Sequence, residues 1–219
     1  MKILLVNLDE KVVKAWNKYF DEIENISCEV GNIRNYAKKS MAFVSASNSK
    51  LFFDGGSDLA YIDMFPNVQR TMKNFVKKFG FIDKFGLDDY LPIGSACIKQ
   101  FGNKFLICAP TMLLPQDVSN TNNAYVAFKL VLELLDKNPH IDSIVVPGLC
   151  CGYGKMDTDT AAKQMYDAYT DHVNGESTLD VIGEAQTDLV YYPPHINTQP
   201  HYYCNTQFMS FDRRAVVIM

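Results

Sequence analysis

The sequence predicts an α/β fold in which short buried strands alternate with amphipathic helices. Three observations carry that prediction. Short apolar, β-branched-rich runs at residues 3–8, 26–30, 41–46 and 141–146 have the length and composition of buried strands. Apolar residues between such runs recur at helical spacing, as in Val12, Val13, Trp16, Tyr19 and Phe20. Residues 144–156, I-V-V-P-G-L-C-C-G-Y-G-K-M, read as strand, glycine loop and helix start in direct succession. In an open α/β sheet that order opens a crevice at the carboxyl end of the strand.

Taken in order, residues 3–8 form a first strand, and Asp9 caps the next helix. Trp16 lies on the apolar face of that helix and belongs to the core. A second strand at 26–30 ends at Gly31, and a third at 41–46 places Asn48 just past its end, where binding groups project. Residues 51–60, L-F-F-D-G-G-S-D-L-A, put Gly55 and Gly56 before Ser57 and Asp58, which start a helix running through Met64 and stopping before Pro66. Val68, Met72, Phe75, Val76 and Phe79 mark a further amphipathic helix. Residues 96–98 and 105–108 pair as a hairpin across Gly102 and Asn103. A long helix spans 122–136, with Val126, Leu130, Val131 and Leu134 on its apolar face. After the loop holding Gly152, Tyr153 and Gly154, a last helix carries Ala161, Ala162, Met165, Ala168 and Tyr169. A strand at 188–192, closed by Pro193 and Pro194, and another at 215–219 flank a stretch with no clear period.

A length of 219 residues suits one domain, or one domain with an extension, and is enough to bury a core without staples. The formal charge of −4 argues against a nonspecific nucleic-acid binder, so no nucleic-acid partner is expected. No apolar run approaches the ~20 residues of a membrane span, and the N-terminal run is too short for a signal peptide. The six cysteines form no CxxC pair or regular framework, which predicts reduced thiols in a cytoplasmic protein. His195, His201 and Cys204 match no zinc spacing, so neither a metal nor a cofactor is expected.

The two glycine loops admit two readings. Glycines let backbone approach a ligand, and unpaired N–H groups near a helix start favour an anion, so the loops suit two walls of one phosphate site. Equally, each can be a plain strand-to-helix turn, and Asp58 a helix-start carboxylate favoured by the dipole. The absence of G-x-x-x-x-G-K-[ST] disfavours a P-loop NTPase.

The order of motifs resembles the macro domain family, the ADP-ribose-binding fold, over roughly residues 1–169. V-S-A-S-N at 44–48 is similar to the family's V-N-A-A-N strand end, and D-G-G-S-D at 54–58 to its first glycine-rich loop and following Asp. L-P-I-G-S-A at 91–96 is similar to its G-x-A strand, and P-G-L-C-C-G-Y-G at 147–154 to its second phosphate loop. The phrases A-P-T-M-L-L-P and N-A-Y-V-A-F are similar to a bacterial and phage-like branch. Four departures stand out. Asn32 replaces the Asp of G-D-I, which in the family accepts from the adenine amino group; an amide oxygen still accepts, but without charge. Ser45 replaces the first Asn of N-A-A-N, Cys150 and Cys151 stand where small residues are common, and the chain beyond Tyr169 does not align.

The resemblance implies a three-layer α/β/α sandwich with a mixed, mostly parallel sheet. It implies one macro-like domain over 1–219, with a core of about 1–172 and a poorly aligned segment at 173–219. The implied partner is ADP-ribose or a derivative, on its own or carried by an ADP-ribosylated protein. The implied binding residues are Asn32, Ile33, Ser45, Gly55, Gly56, Ser57, Cys150, Cys151, Gly152, Tyr153 and Gly154, with Tyr153 covering the distal ribose. In hydrolytic members the residues matching Asn48 and Asp58 orient that ribose and an attacking water. Two functions are thereby implied, a hydrolase of an ADP-ribosyl or ADP-ribose-derivative bond and a binding module without turnover. An unrelated nucleotide-binding α/β protein is the third reading. With an ordinary carboxyl pKa near 4, Asp58 is expected to position water rather than abstract a proton strongly. Cys150 or Cys151, beside a helix start, is either a thiol of lowered pKa or a space-filling buried one.

Overall fold

The computed structural model describes residues 1–37, 41–78 and 90–175, together with the backbone of 190–191. The chain runs β1 (Lys2–Asn7), α1 (Glu10–Phe20), β2 (Ile26–Val30), a 3-10 turn (Ile33–Tyr36), β3 (Ala42–Ser45), α2 (Asp58–Met64), α3 (Val68–Lys77), β4 (Ala96–Phe101), β5 (Lys104–Cys108), α4 (Asn123–Asp136), β6 (Ser143–Val146), α5 (Thr158–Val173) and β7 (Val190–Tyr191). The strands form one sheet in the order β2-β1-β6-β3-β5-β4-β7. The first five are parallel, and β4 and β7 add antiparallel edges.

Strand side chains alternate between the two faces of the sheet. Ile3, Leu5, Ala42, Val44, Phe105, Ile107, Ile144 and Val146 pack on the layer of α1, α4 and α5. Val6, Phe43, Leu106, Cys108 and Val145 pack on the opposite layer, where α2, α3 and the 3-10 turn lie. This is the three-layer sandwich expected, and Trp16 sits in its core, 1% exposed. The helix start read from the sequence at Asp9 forms as expected, with Asp9 accepting from Lys11 N, and Asp157 caps α5 in the same way by accepting from Thr160 N. The strand expected at 141–146 begins only at Ser143, because the Ile141 N–H turns back to Asn138 O. Val190–Tyr191 is all that is described of the strand expected at 188–192. Phe79, the strand expected at 215–219, His195, His201 and Cys204 lie outside the described residues. Among the described residues, no helix is long and apolar enough to cross a membrane.

Candidate ligand cleft at the carboxyl ends of the strands

Because β1, β6, β3 and β5 are parallel, their carboxyl ends lie along one edge of the sheet. A cleft of about 350 Å³ opens there. That volume is within the range of small-molecule sites. The cleft is lined by residues at or just past the end of each strand: Asn7 to Asp9 at the end of β1, Gly31 to Arg34 after β2, Ala46 and Asn48 after β3, Thr111 and Met112 after β5, and Pro147 and Gly148 after β6.

The two glycine loops form facing walls. Gly55, Gly56 and Ser57 line one side, and Cys150, Cys151, Gly152 and Tyr153 the other. Tyr153 joins them, since its ring lies against Gly55 so closely that a β-carbon there would stand 2.7 Å from Tyr153 Cε2. Among the described residues, the N–H groups of Gly55, Gly56, Ser57, Cys151, Gly152 and Tyr153 find no internal acceptor. These unspent donors belong to cleft-lining residues, and unpaired backbone donors of this kind suit an anion. Arg34 is the one cation among the described lining residues, and two of its nitrogens are engaged: Nε lies 2.8 Å from Asp63 Oδ2, and Nη2 donates to Leu59 O at 3.0 Å. Unpaired backbone N–H groups therefore outnumber side-chain cations on the described lining.

Asn48 and Asp58 share the β3 side of the cleft and are 7% and 8% exposed. Asn48 shapes the loop after β3. Its Oδ1 accepts from Lys50 N at 3.0 Å and from Phe52 N at 3.3 Å, and its Nδ2 donates to Phe52 O at 3.3 Å. The Asp58 carboxylate accepts from Ser45 Oγ at 2.7 Å. Burial pushes Asp58 up from 3.8 to about 7; the Ser45 hydrogen bond opposes that rise and the neighbouring Asp54 charge adds to it. The expectation of an ordinary carboxyl near 4 is thus corrected, because the site withdraws Asp58 from water. The reading of an activated loop thiol is corrected for the same reason. Burial pushes Cys150 and Cys151 each up to about 12, and neither is poised as a thiolate. Among the described residues, no group of three or more His, Cys, Asp or Glu is placed to hold a metal ion.

No protein-family model matches the sequence, and no curated protein matches it. Solved structures do match. An Oceanobacillus iheyensis macrodomain with MES bound is 20% identical over 71% of this chain and 76% of its own, with a TM-score of 0.50. The same macrodomain with ADP gives 19% identity, 64% and 71% coverage and a TM-score of 0.50. Thermosipho africanus DarTG in complex with ADP-ribose gives 16% identity and a TM-score of 0.50 over 74% of this chain, which spans about half of that one (48%). The chain has the macrodomain fold.

Within this fold, most residues singled out in the sequence line one cleft. Asn32, Ile33, Asn48, Gly55, Gly56, Ser57, Asp58, Cys150, Cys151, Gly152 and Tyr153 all line the cleft. Ser45 and Gly154 do not. Ser45 is fully buried beneath Asp58, and Gly154 lies under its loop, with its carbonyl accepting from Val118 N at 2.9 Å. Sequence reasoning missed Asn7, Leu8 and Asp9 at one end of the cleft, and Phe52, Thr111, Met112 and Pro115 elsewhere. The signal available for Asn7 to Asp9 was position alone, at the carboxyl end of a central parallel strand.

Proposed function

We propose that the cleft binds ADP-ribose or a derivative and that Asp58 and Asn48 hydrolyse its bond at the distal ribose, slowly. The observation that carries this reading is the placement of Asp58. It is a buried carboxyl raised to about 7, and it lines the same cleft as two loops of unspent backbone donors. The loops suit a diphosphate. A general base works best when its pKa lies near the operating pH, and burial brings Asp58 there. Once ionised, it accepts a proton from a water held against the anomeric carbon, while the cleft supplies the orientation that lowers the barrier. The ADP and ADP-ribose held by the two solved macrodomain-containing proteins support the same ligand class here.

Single-turnover release of ADP-ribose tests the proposal on a modified protein, on O-acetyl-ADP-ribose and on ADP-ribose 1″-phosphate. Asp58→Ala is expected to slow release by about 10- to 1000-fold, at ~1.4 kcal/mol per tenfold, with a smaller effect on ADP-ribose affinity. Asn48→Ala lowers both. The wild-type rate rises with pH through about 7 as Asp58 ionises.

One observation favours a binding module without turnover. Asn48 already spends its amide oxygen and one N–H on residues 50 and 52, which limits what it offers a ribose. If wild type and Asp58→Ala are equally inert on all three substrates while both bind ADP-ribose, the module is the function.

A further inference from the structure

Behind the cleft wall lies a buried line of polar side chains that the binding loops do not use. Ser45 ends β3 with no exposed surface and stands outside the cleft. Its hydroxyl donates to Asp58 Oδ1 at 2.7 Å and is the one side-chain donor to that carboxylate among the described residues. On the neighbouring strand, Cys108 of β5 is the register partner of Ser45 across the β3–β5 ladder. Cys97 and Cys108 are directly opposite each other in the β4–β5 ladder, and both are fully buried.

We infer that Ser45 is a positioning residue for Asp58, and that the Cys108 thiol behind it fixes which way the Ser45 hydroxyl points. Counting protons gives the direction of the line. A serine hydroxyl carries a single proton and two lone pairs. While Asp58 is ionised, that proton goes to the carboxylate, which leaves the Ser45 oxygen open to accept from a donor behind it. Burial and the Cys97 contact hold the Cys108 thiol protonated, which makes it that donor. The line then runs Cys108 S–H to Ser45 O–H to Asp58 O⁻. When Asp58 takes a proton from a bound water, its carboxyl becomes a donor to Ser45 Oγ. The Ser45 hydroxyl turns to the Cys108 sulfur, a weak acceptor. No proton leaves the line, and its direction follows the charge on Asp58.

Every charged or titratable group facing Asp58 among the described residues has its place. Asp54, from the loop before α2, opposes ionisation; Tyr61, one turn along α2, is committed to Val44 O at 2.5 Å; Cys108 faces it from β5. Ser45 is the group that favours the ionised form. A residue that only filled space at this position would leave the protonation of Asp58 unchanged.

The inference rests on the reading of Asp58 as the acting group, but its test needs no turnover. Carbon-13 labelling of aspartate carboxyls, with Asp58→Asn to assign the signal, gives the titration midpoint of Asp58 by NMR in the wild-type protein. Ser45→Ala is expected to raise that midpoint by about one pH unit, the loss of a hydrogen bond to a charged group. Ser45→Thr keeps the hydroxyl and stays near wild type. Cys108→Ala shifts the midpoint the same way by less, and Cys108→Ser restores it. Should Ser45→Ala fail to fold, the two Cys108 variants decide. Midpoints that stay at the wild-type value in every folded variant, with melting temperature alone reduced, would overturn the inference. Midpoints that move as expected while no substrate is released would leave Ser45 as the positioning residue and remove the hydrolytic reading instead.

Discussion

The ring of Tyr153 rests on Gly55, so that the two glycine loops of the cleft meet at a single contact. A β-carbon at residue 55 would come within 2.7 Å of Tyr153 Cε2, closer than side chains tolerate. Tyr153 is 63% exposed, and its ring has room to swing outward. Gly55→Ala is therefore expected to change stability by less than ~0.5 kcal/mol while displacing Tyr153 and weakening ADP-ribose binding. Tyr153→Ala weakens binding as well. Calorimetric titration of both variants checks this, and unchanged affinity in both would show that the contact does not shape the ligand site.

Gly152 and Gly154 look alike in the sequence and differ in the fold. A β-carbon at Gly154 would lie 2.4 Å from Cys150 O and 2.8 Å from Val118 Cγ2, so backbone would have to move. At Gly152, which lines the cleft, a β-carbon meets nothing within 4 Å. Gly154→Ala is expected to cost about 1–3 kcal/mol in chemical denaturation, the usual penalty of overpacking. Gly152→Val keeps the melting temperature near wild type and abolishes ADP-ribose binding. A reversal of these two phenotypes would mean the loop is placed wrongly.

The burial of Asp58 costs stability. A carboxyl raised from 3.8 to about 7 in the folded state binds protons more tightly than in the unfolded chain. Stability therefore falls as pH rises from about 4 to 7, and the loss is complete above 7. At ~1.4 kcal/mol per pH unit the cost reaches roughly 4 kcal/mol. Asp58→Asn removes the charge and keeps an acceptor for Ser45. Urea unfolding should find that variant more stable than wild type by a few kcal/mol at pH 8, with the difference gone near pH 4. A variant less stable than wild type at pH 8 would contradict the burial of an ionised Asp58.

The contrasts between these residues explain what was legible in the sequence. Local patterns carried the short buried strands, the Asp9 cap and the helix behind each glycine loop, because each is decided within a few residues. Motif order was enough to bring Asn48 and Asp58 to one wall. The pKa of Asp58 was not legible, since it depends on how deeply α2 seats Asp58 against β3. Nor was the duty of Ser45, whose partner lies 13 residues away on another element. Motif order places Gly154 at the ligand, yet its true neighbour is Val118, which is distant in sequence and comes close only through the fold.

The loop thiols are expected to be inert. With Cys150 and Cys151 each held near 12, the thiolate fraction at neutral pH is minute, and the thiolate is the form that reacts. Mass spectrometry after iodoacetamide treatment should find both slow to label in the folded protein, with or without ADP-ribose, and quick to label in urea. Rapid labelling that ADP-ribose blocks would make one of them a cleft nucleophile.

Titration of the wild-type protein by calorimetry with ADP-ribose, and separately with ADP, NAD and GTP, tests the ligand assignment most directly. The expected result is saturable one-to-one binding of ADP-ribose, tighter than that of ADP, NAD or GTP and lost in Gly152→Val. No heat or thermal stabilisation with millimolar ADP-ribose, alongside clear binding of another nucleotide, would contradict it.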